Sequence, residues 1–285
     1  MNEKNINDLQ PIILFSSRAD LGDMVEPLIN PLGYKLLVID SMEYELRNDG
    51  LSNTRQYAEP ISGSGGIVVE KVSRLRPLLL LFDIESEQIK WERWIRMLSS
   101  VPATKRIPII SIGKNSSIDL LRKSEQIGAS ISITHEDLNS QLPALITKYV
   151  LEFVEIDYSY PCSQQLLANA IIGLEAFNDG RYYDAHEYLE YAWMDDHTKG
   201  RDLYRALLQI AVAYYQITRG NYRGAVKMFW RVRQWIEPLP ETCRGVDVHK
   251  LREDTSSVYK EIIRLGHQRI HEFDTKSLQP IKYEV

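Results

Sequence analysis

Apolar residues fall into two different rhythms along this chain, and the change comes near residue 155. Before it, short runs of consecutive apolar or β-branched residues recur: PIILFSS at 11–17, YKLLVID at 34–40, PLLLLFDIES at 77–86, IPIISIG at 107–113 and ASISIT at 129–134. Runs of this length without polar alternation read as strands buried on both faces. Helical spacing over about 20–31, 88–100 and 116–127 separates them. Strands alternating with helices predict an α/β doubly wound parallel sheet over residues 1–154. The stretch from 41 to 75 fits no single element, and the glycine- and serine-rich ISGSGG within it predicts a helix followed by a mobile loop.

After residue 155 the apolar positions recur at helical intervals. SQQLLANAIIGLEAFNDG, RYYDAHEYLEYAWMDDH, RDLYRALLQIAVAYYQITRG and NYRGAVKMFWRVRQWIEPLP each end near glycine, proline or a polar cluster. A last helix is expected over about 247–266. The spacing therefore predicts an all-α helical bundle over 164–268, a linker EIDYSYPCS at 155–163, and a C-terminal tail without strong pattern at 269–285. Two of the helical segments are alike. Aligning Gly180 with Gly220 matches Tyr182 with Tyr222, Ala185 with Ala225 and Leu189 with Phe229. This G-x-Y-x-x-A pattern resembles the second helix of tetratricopeptide-type hairpins, where the small alanine allows close helix packing, although the offset is 40 residues rather than that family's 34.

Composition adds exclusions. The 285 residues are 44% apolar and 26% charged, ordinary for a globular protein. No run of eighteen apolar residues and no leader-like N-terminus is seen, so neither a membrane span nor a signal peptide is expected and the default compartment is the cytoplasm. Cys162 and Cys243 lie far apart and outside any C-x-x-C pair, which argues against a disulfide framework or a four-cysteine zinc site. The net charge of -5 argues against broad affinity for nucleic acid. The basic cluster Arg219, Arg223, Lys227, Arg231 and Arg233 reads as a solvated helix face.

The strand spacing of residues 11 to about 150 resembles the receiver domain of two-component response regulators. That resemblance implies a phosphoacceptor aspartate at the end of the third strand, a magnesium ion, an acidic pair after strand one, a Ser/Thr after strand four and a lysine after strand five. Asp83, in LLLLFDIES, matches the acceptor position. The other positions depart from the pattern. Ser17 and Arg18 stand where the acidic pair belongs, with Asp20 the nearest carboxylate; Gly113 takes the Ser/Thr position and His135 the lysine position. A carboxylate without a divalent cation is a poor phosphate acceptor. Arg18 is expected to hold Asp83 as an ion pair, and the domain reads as a pseudo-receiver that serves docking, dimerisation or ligand sensing.

His186 and Glu190 stand four residues apart on one helix face, with Glu187 beside them. Imidazole and carboxylate at that spacing can share a borderline divalent cation, Glu187 could take a proton from bound water, and Gln209 and Gln216 offer donors from the next helix. FNDGRYYDAHEYLEYAW, RALLQIAVAYYQITRGNYRGAVKM and GVDV together resemble domain of unknown function family 309 over roughly residues 165–255. Members of that family are described as predicted metal-dependent hydrolases. The resemblance maps His186, Glu187 and Glu190 onto an H-E-x-x-E motif, Trp193 onto its following tryptophan, Gln209 onto the L-I-Q glutamine, and Gly220, Asn221, Gly224 and Ala225 onto a G-N-x-x-G-A turn. Gln216 replaces a histidine common in the family, and a glutamine oxygen is a weaker zinc ligand than imidazole.

Two functions follow from these readings. One is a regulatory or interaction protein in which the His/Glu cluster is a buried hydrogen-bonded network and a protein partner or a second copy is bound. The other is a metal-dependent hydrolase with His186, Glu190 and Gln209 as ligands and Glu187 as general base.

Overall fold

A computed structural model describes residues 10–40, 64–151 and 156–284. They fall into two compact units that divide between residues 154 and 155. In the first, β1 (Ile12–Phe15), β2 (Leu36–Ile39), β3 (Leu79–Asp83), β4 (Ile109–Gly113) and β5 (Ile131–Thr134) form a five-stranded sheet of order β2-β1-β3-β4-β5. Every neighbouring pair is parallel. This is the doubly wound order with its switch point between β1 and β3. The central strands are buried throughout, whereas the edge strands β2 and β5 are partly exposed.

Helix α1 (Ala19–Ile29) and α5 (Leu138–Leu151) cover one face, where Leu21, Val25, Leu138, Leu142 and Ile146 pack on Ile12, Leu14, Leu79, Leu81, Ile110 and Ile112. The remaining helices of this unit are α2 (Ser64–Leu75), α3 (Trp91–Ser100) and α4 (Ile118–Gln126). Phe15 stacks on Phe82 at 4.6 Å and meets Trp94 of α3 edge-on at 5.6 Å. Helix α5 was not among the expected helices. In the 41–75 stretch, α2 occupies Ser64–Leu75, where the mobile loop was expected; the helix expected ahead of it falls in residues 41–63, which lie outside the described residues.

The second unit contains α6 (Ser159–Ser163), α7 (Ala168–Asn178), α8 (Tyr182–Asp195), α9 (Arg201–Thr218), α10 (Tyr222–Ile236), a two-stranded β6 (Thr242–Cys243) and β7 (Val246–Asp247) hairpin, and α11 (Val248–Arg269). The predicted repeat is real in its turns. Gly180 and Gly220 adopt φ of 76° and 68°. In both turns the glycine N–H bonds the carbonyl three residues back and the next N–H bonds the carbonyl five back, a Schellman ending. Glycine reaches this left-handed region without the Cβ penalty, so each turn folds the next helix back along the last. Ala185 and Ala225 are fully buried where those helices meet.

Three expectations are corrected by the chain's packing. The segment expected as a linker at 155–163 belongs, from Ile156, to the helical unit: Tyr158 is buried and its hydroxyl donates to Asp202 at 2.9 Å. The expected tail at 269–285 is also built in. Ile270, Phe273 and Ile281 are buried, Asn178 exchanges two hydrogen bonds with the backbone of Ile281, and Tyr283 bridges to Val246. Finally, Cys162 and Cys243 form a disulfide across 81 residues, because α6 lies against β6.

Beside the disulfide sits Arg244, at a left-handed φ of 52° in the hairpin turn. Its N–H donates to the Cys162 carbonyl at 2.7 Å. The guanidinium pairs with Asp196 at 2.8 Å, with both side chains no more than 5% exposed, and donates to the Tyr204 hydroxyl, Thr198 Oγ1 and the Pro161 carbonyl. Removing one member of such a pair strands the other charge in a dry site. Arg244→Ala is therefore expected to lower the unfolding free energy by about 3–5 kcal/mol in urea titration. Reducing the disulfide, or Cys243→Ser, is expected to cost about 2–4 kcal/mol in the same assay, since the closed loop is long.

Candidate functional site

Ligands of doubly wound sheets bind beyond the carboxyl ends of the strands at the switch point, which here is the end of β1 and β3. Asp83 ends β3 and is 0% exposed. Its Oδ2 accepts from the Ser16 hydroxyl at 2.7 Å and its Oδ1 from the Glu85 N–H at 3.0 Å. Ser17 and Ser86 pair their hydroxyls at 2.6 Å, and the Ser17 N–H also donates to Ser86. Hydroxyls, not carboxylates, thus line the end of β1 beside Asp83.

Arg18 does not hold Asp83. Its guanidinium donates to Asp20 at 2.7 and 3.3 Å, two residues on in the first turn of α1. That hydrogen bond raises the Arg18 pKa further and holds the Asp20 carboxyl below its ordinary value. Asp20 wins because it can swing to meet the guanidinium, whereas Asp83 is sealed with both oxygens already engaged.

At the end of β4, a Cβ added to Gly113 would lie 2.8 Å from two Ile84 side-chain carbons. The space a Ser or Thr side chain would fill is taken by the residue next to Asp83. His135 follows β5 half-buried, and its Nε2 has no partner among the described residues. Glu85 receives the Lys114 N–H at 3.2 Å; hydrogen bonding by Ser117, and secondarily by Lys114, holds its carboxyl below the usual range against the opposing effect of burial.

On the helical unit, α8 places His186 half-buried while Glu187 and Glu190 are exposed. None of the three makes a side-chain hydrogen bond or ion pair among the described residues, so the expected buried polar network is not formed. Gln209 of α9 is 2% exposed, with its Oε1 buried and unpartnered. Gln216, in contrast, has a structural task. It accepts from Asn221 Nδ2 at 2.6 Å, while Asn221 Oδ1 caps α10 by accepting the Gly224 N–H at 3.0 Å.

His186 and Glu190 do share a helix face, as their spacing requires. Yet no three His, Cys, Asp or Glu side chains gather as a metal site among the described residues. One imidazole, two solvent-facing carboxylates and neutral amides that do not gather into one group are a poor match to the donor needs of a borderline cation.

Sequence reasoning passed over what surrounds Trp193. The guanidiniums of Arg201 and Arg205 both lie over its ring, each at 4.6 Å, and Arg205 also lies 4.1 Å over Trp235. The legible signal was the series Arg201, Arg205, Gln209 at i, i+4, i+8 on α9.

No helix among the described residues is long and apolar enough to cross a membrane. No curated protein matches the chain. Solved structures similar to it include the receiver domain of a sensor histidine kinase from Pseudomonas aeruginosa PAO1, with magnesium coordinated in its cleft (15% identity, TM-score 0.38, covering 50% of this chain and 98% of that one). Another is the signal receiver domain of a signal transduction histidine kinase from Syntrophus aciditrophicus (16% identity, TM-score 0.39, 52% and 95%). A third is full-length FixJ from B. japonicum (13% identity, TM-score 0.35, 77% and 97%). Within the helical unit, residues 171–228 match the family described as Domain of unknown function (DUF309), over a shorter span than the sequence motifs suggested.

Proposed function

We propose that this chain is a regulatory or interaction protein, in which a receiver-like α/β domain that does not turn over phosphate is coupled to the helical domain. The observation that carries this reading is the sealing of Asp83. Both its oxygens are engaged, Ser16 and Ser17 offer hydroxyls rather than carboxylates beyond β1, and Ile84 fills the space beside Gly113. A phosphoryl transfer would need a free carboxylate oxygen and positive charge to stabilise the transferred group. The surface of α8 supports a protein partner or a second copy: Tyr183, Tyr191 and Met194 are 54%, 53% and 46% exposed, and they lie with Glu187 along one helical strip. No comparable observation favours the hydrolase reading with Glu187 as base.

Incubation with acetyl phosphate and magnesium is expected to leave Asp83 unlabelled; a base-labile acyl phosphate absent from Asp83→Asn would overturn the proposal. Ser16→Ala should destabilise the α/β domain by about 1–3 kcal/mol, because it leaves a buried carboxylate oxygen short of its donor. Protein prepared without a metal-carrying affinity tag is expected to show the same metal content as His186→Ala. A full equivalent of zinc lost only in that variant would revive the hydrolase.

A further inference from the structure

We infer that the helical unit pairs with a second copy of this chain through the face formed by α8, α9 and α10, the acidic edge of one copy lying against the basic edge of the other. This deepens the interaction reading above, on which it rests, by naming the partner and the contacts.

The two edges are opposite in sign. Helix α8 carries Asp184, Glu187, Glu190 and Asp195 and no Lys or Arg; α10 carries Arg223, Lys227, Arg231 and Arg233 and no Asp or Glu. Asp184 is paired with Arg181, and Arg233 lies over the Tyr259 ring. Glu187, Glu190, Arg223, Lys227 and Arg231 have no ion pair among the described residues. Like charges three or four residues apart on a helix repel each other. Each edge therefore lacks the countercharge that the other carries.

Both edges border one face. Arg205 of α9 lies 4.6 Å over the Trp193 ring of α8 and 4.1 Å over the Trp235 ring of α10, so at this end α9 is flanked by both helices. At the other end the Tyr183 ring of α8 lies 5.6 Å from that of Tyr215. The next residue, Gln216, accepts from Asn221 at the start of α10. Helices α8 and α10 thus run in the same direction with α9 between them. Leu208, Val212 and Tyr215 share the α9 strip that holds Arg205 and are half-buried, which gives the face an apolar middle.

The same contacts set the level of one edge against the other. Trp193 stands level with Trp235, and Tyr183 with the first turn of α10. Counting inward from these ends, Glu187 is level with Lys227 and Glu190 with Arg231.

Identical faces close on each other about a two-fold axis lying in the interface. An axis parallel to α9 sets α8 of one copy beside α10 of the other at the same level, so that Glu187 meets Lys227 and Glu190 meets Arg231, twice over by symmetry. An axis across α9 sets acid on acid and base on base. Charge therefore selects the first arrangement. A partner of different sequence would have to reproduce both edges at this separation, whereas a second copy does so by construction.

The test is sedimentation velocity on the full chain over a concentration series. The native protein should show a monomer–dimer equilibrium that weakens as salt is raised. Glu187→Lys and Lys227→Glu alter exposed side chains, and far-UV circular dichroism checks that both variants fold. Each should raise the dimer dissociation constant about tenfold or more, because each sets like charges together at two symmetric contacts. Mixed in equal amounts, the two variants should dimerise again, since both contacts of the mixed dimer then join opposite charges. A native chain that stays monomeric throughout, a dimer indifferent to both reversals, or a mixture as monomeric as its components overturns the proposal. None of these outcomes bears on Asp83, whose labelling by acetyl phosphate tests the regulatory reading separately.

Discussion

The buried guanidinium of Arg244 is the point on which the helical unit depends. It joins α6 through the Pro161 carbonyl, the α8–α9 loop through Asp196 and Thr198, and α9 through Tyr204, while its own backbone forms the hairpin turn. A planar fork with five N–H donors can satisfy that many acceptors in separate directions; a lysine could not. Tyr204 shows how closely the parts are interlocked, since its hydroxyl accepts from Arg244 and also receives the Leu167 N–H at the start of α7. Burial raises the Tyr204 pKa, with the neighbouring Arg244 charge opposing that shift, so the phenol stays neutral and available as both donor and acceptor.

In the α/β unit the corresponding constraint is steric and polar closure at the strand ends. The fold brings Ser16, Asp83 and Gly113 to one edge, as the parallel order demands. There the Ser16 hydroxyl and the Glu85 N–H satisfy the carboxylate locally, and an isoleucine occupies the adjoining space. The same sheet order can carry quite different side chains at its strand ends, which is why fold alone does not carry function.

The legibility of the sequence followed the range of the interactions. Strands such as Ile12–Phe15 and the glycine turns at 180 and 220 were visible because burial on both faces and a left-handed turn each leave a local mark. Helix α5 carries Leu138, Leu142 and Ile146 at intervals of four, yet Pro143 interrupts the pattern and hides it. The Cys162–Cys243 pairing could not be read from spacing, since the two cysteines are 81 residues apart and meet only through the packing of α6 on the hairpin. For the His186, Glu187 and Glu190 series, spacing fixed which residues share a face but not which face meets water. Gln216 looked like a lost ligand in isolation; its meaning as a tie to Asn221 needed the turn in three dimensions.

The disulfide also has a mechanical meaning. Helices α7 to α10 lie wholly inside the covalent loop from Cys162 to Cys243, together with the segment that matches the family. Tension applied to the backbone on either side of the helical unit would pass through the sulfur bridge from α6 to the hairpin and on to α11, bypassing everything between. The α8–α9 pair is therefore shielded from pulling forces that would strip α11 and the C-terminal segment, so the unit would yield from its end and keep its central hairpins folded.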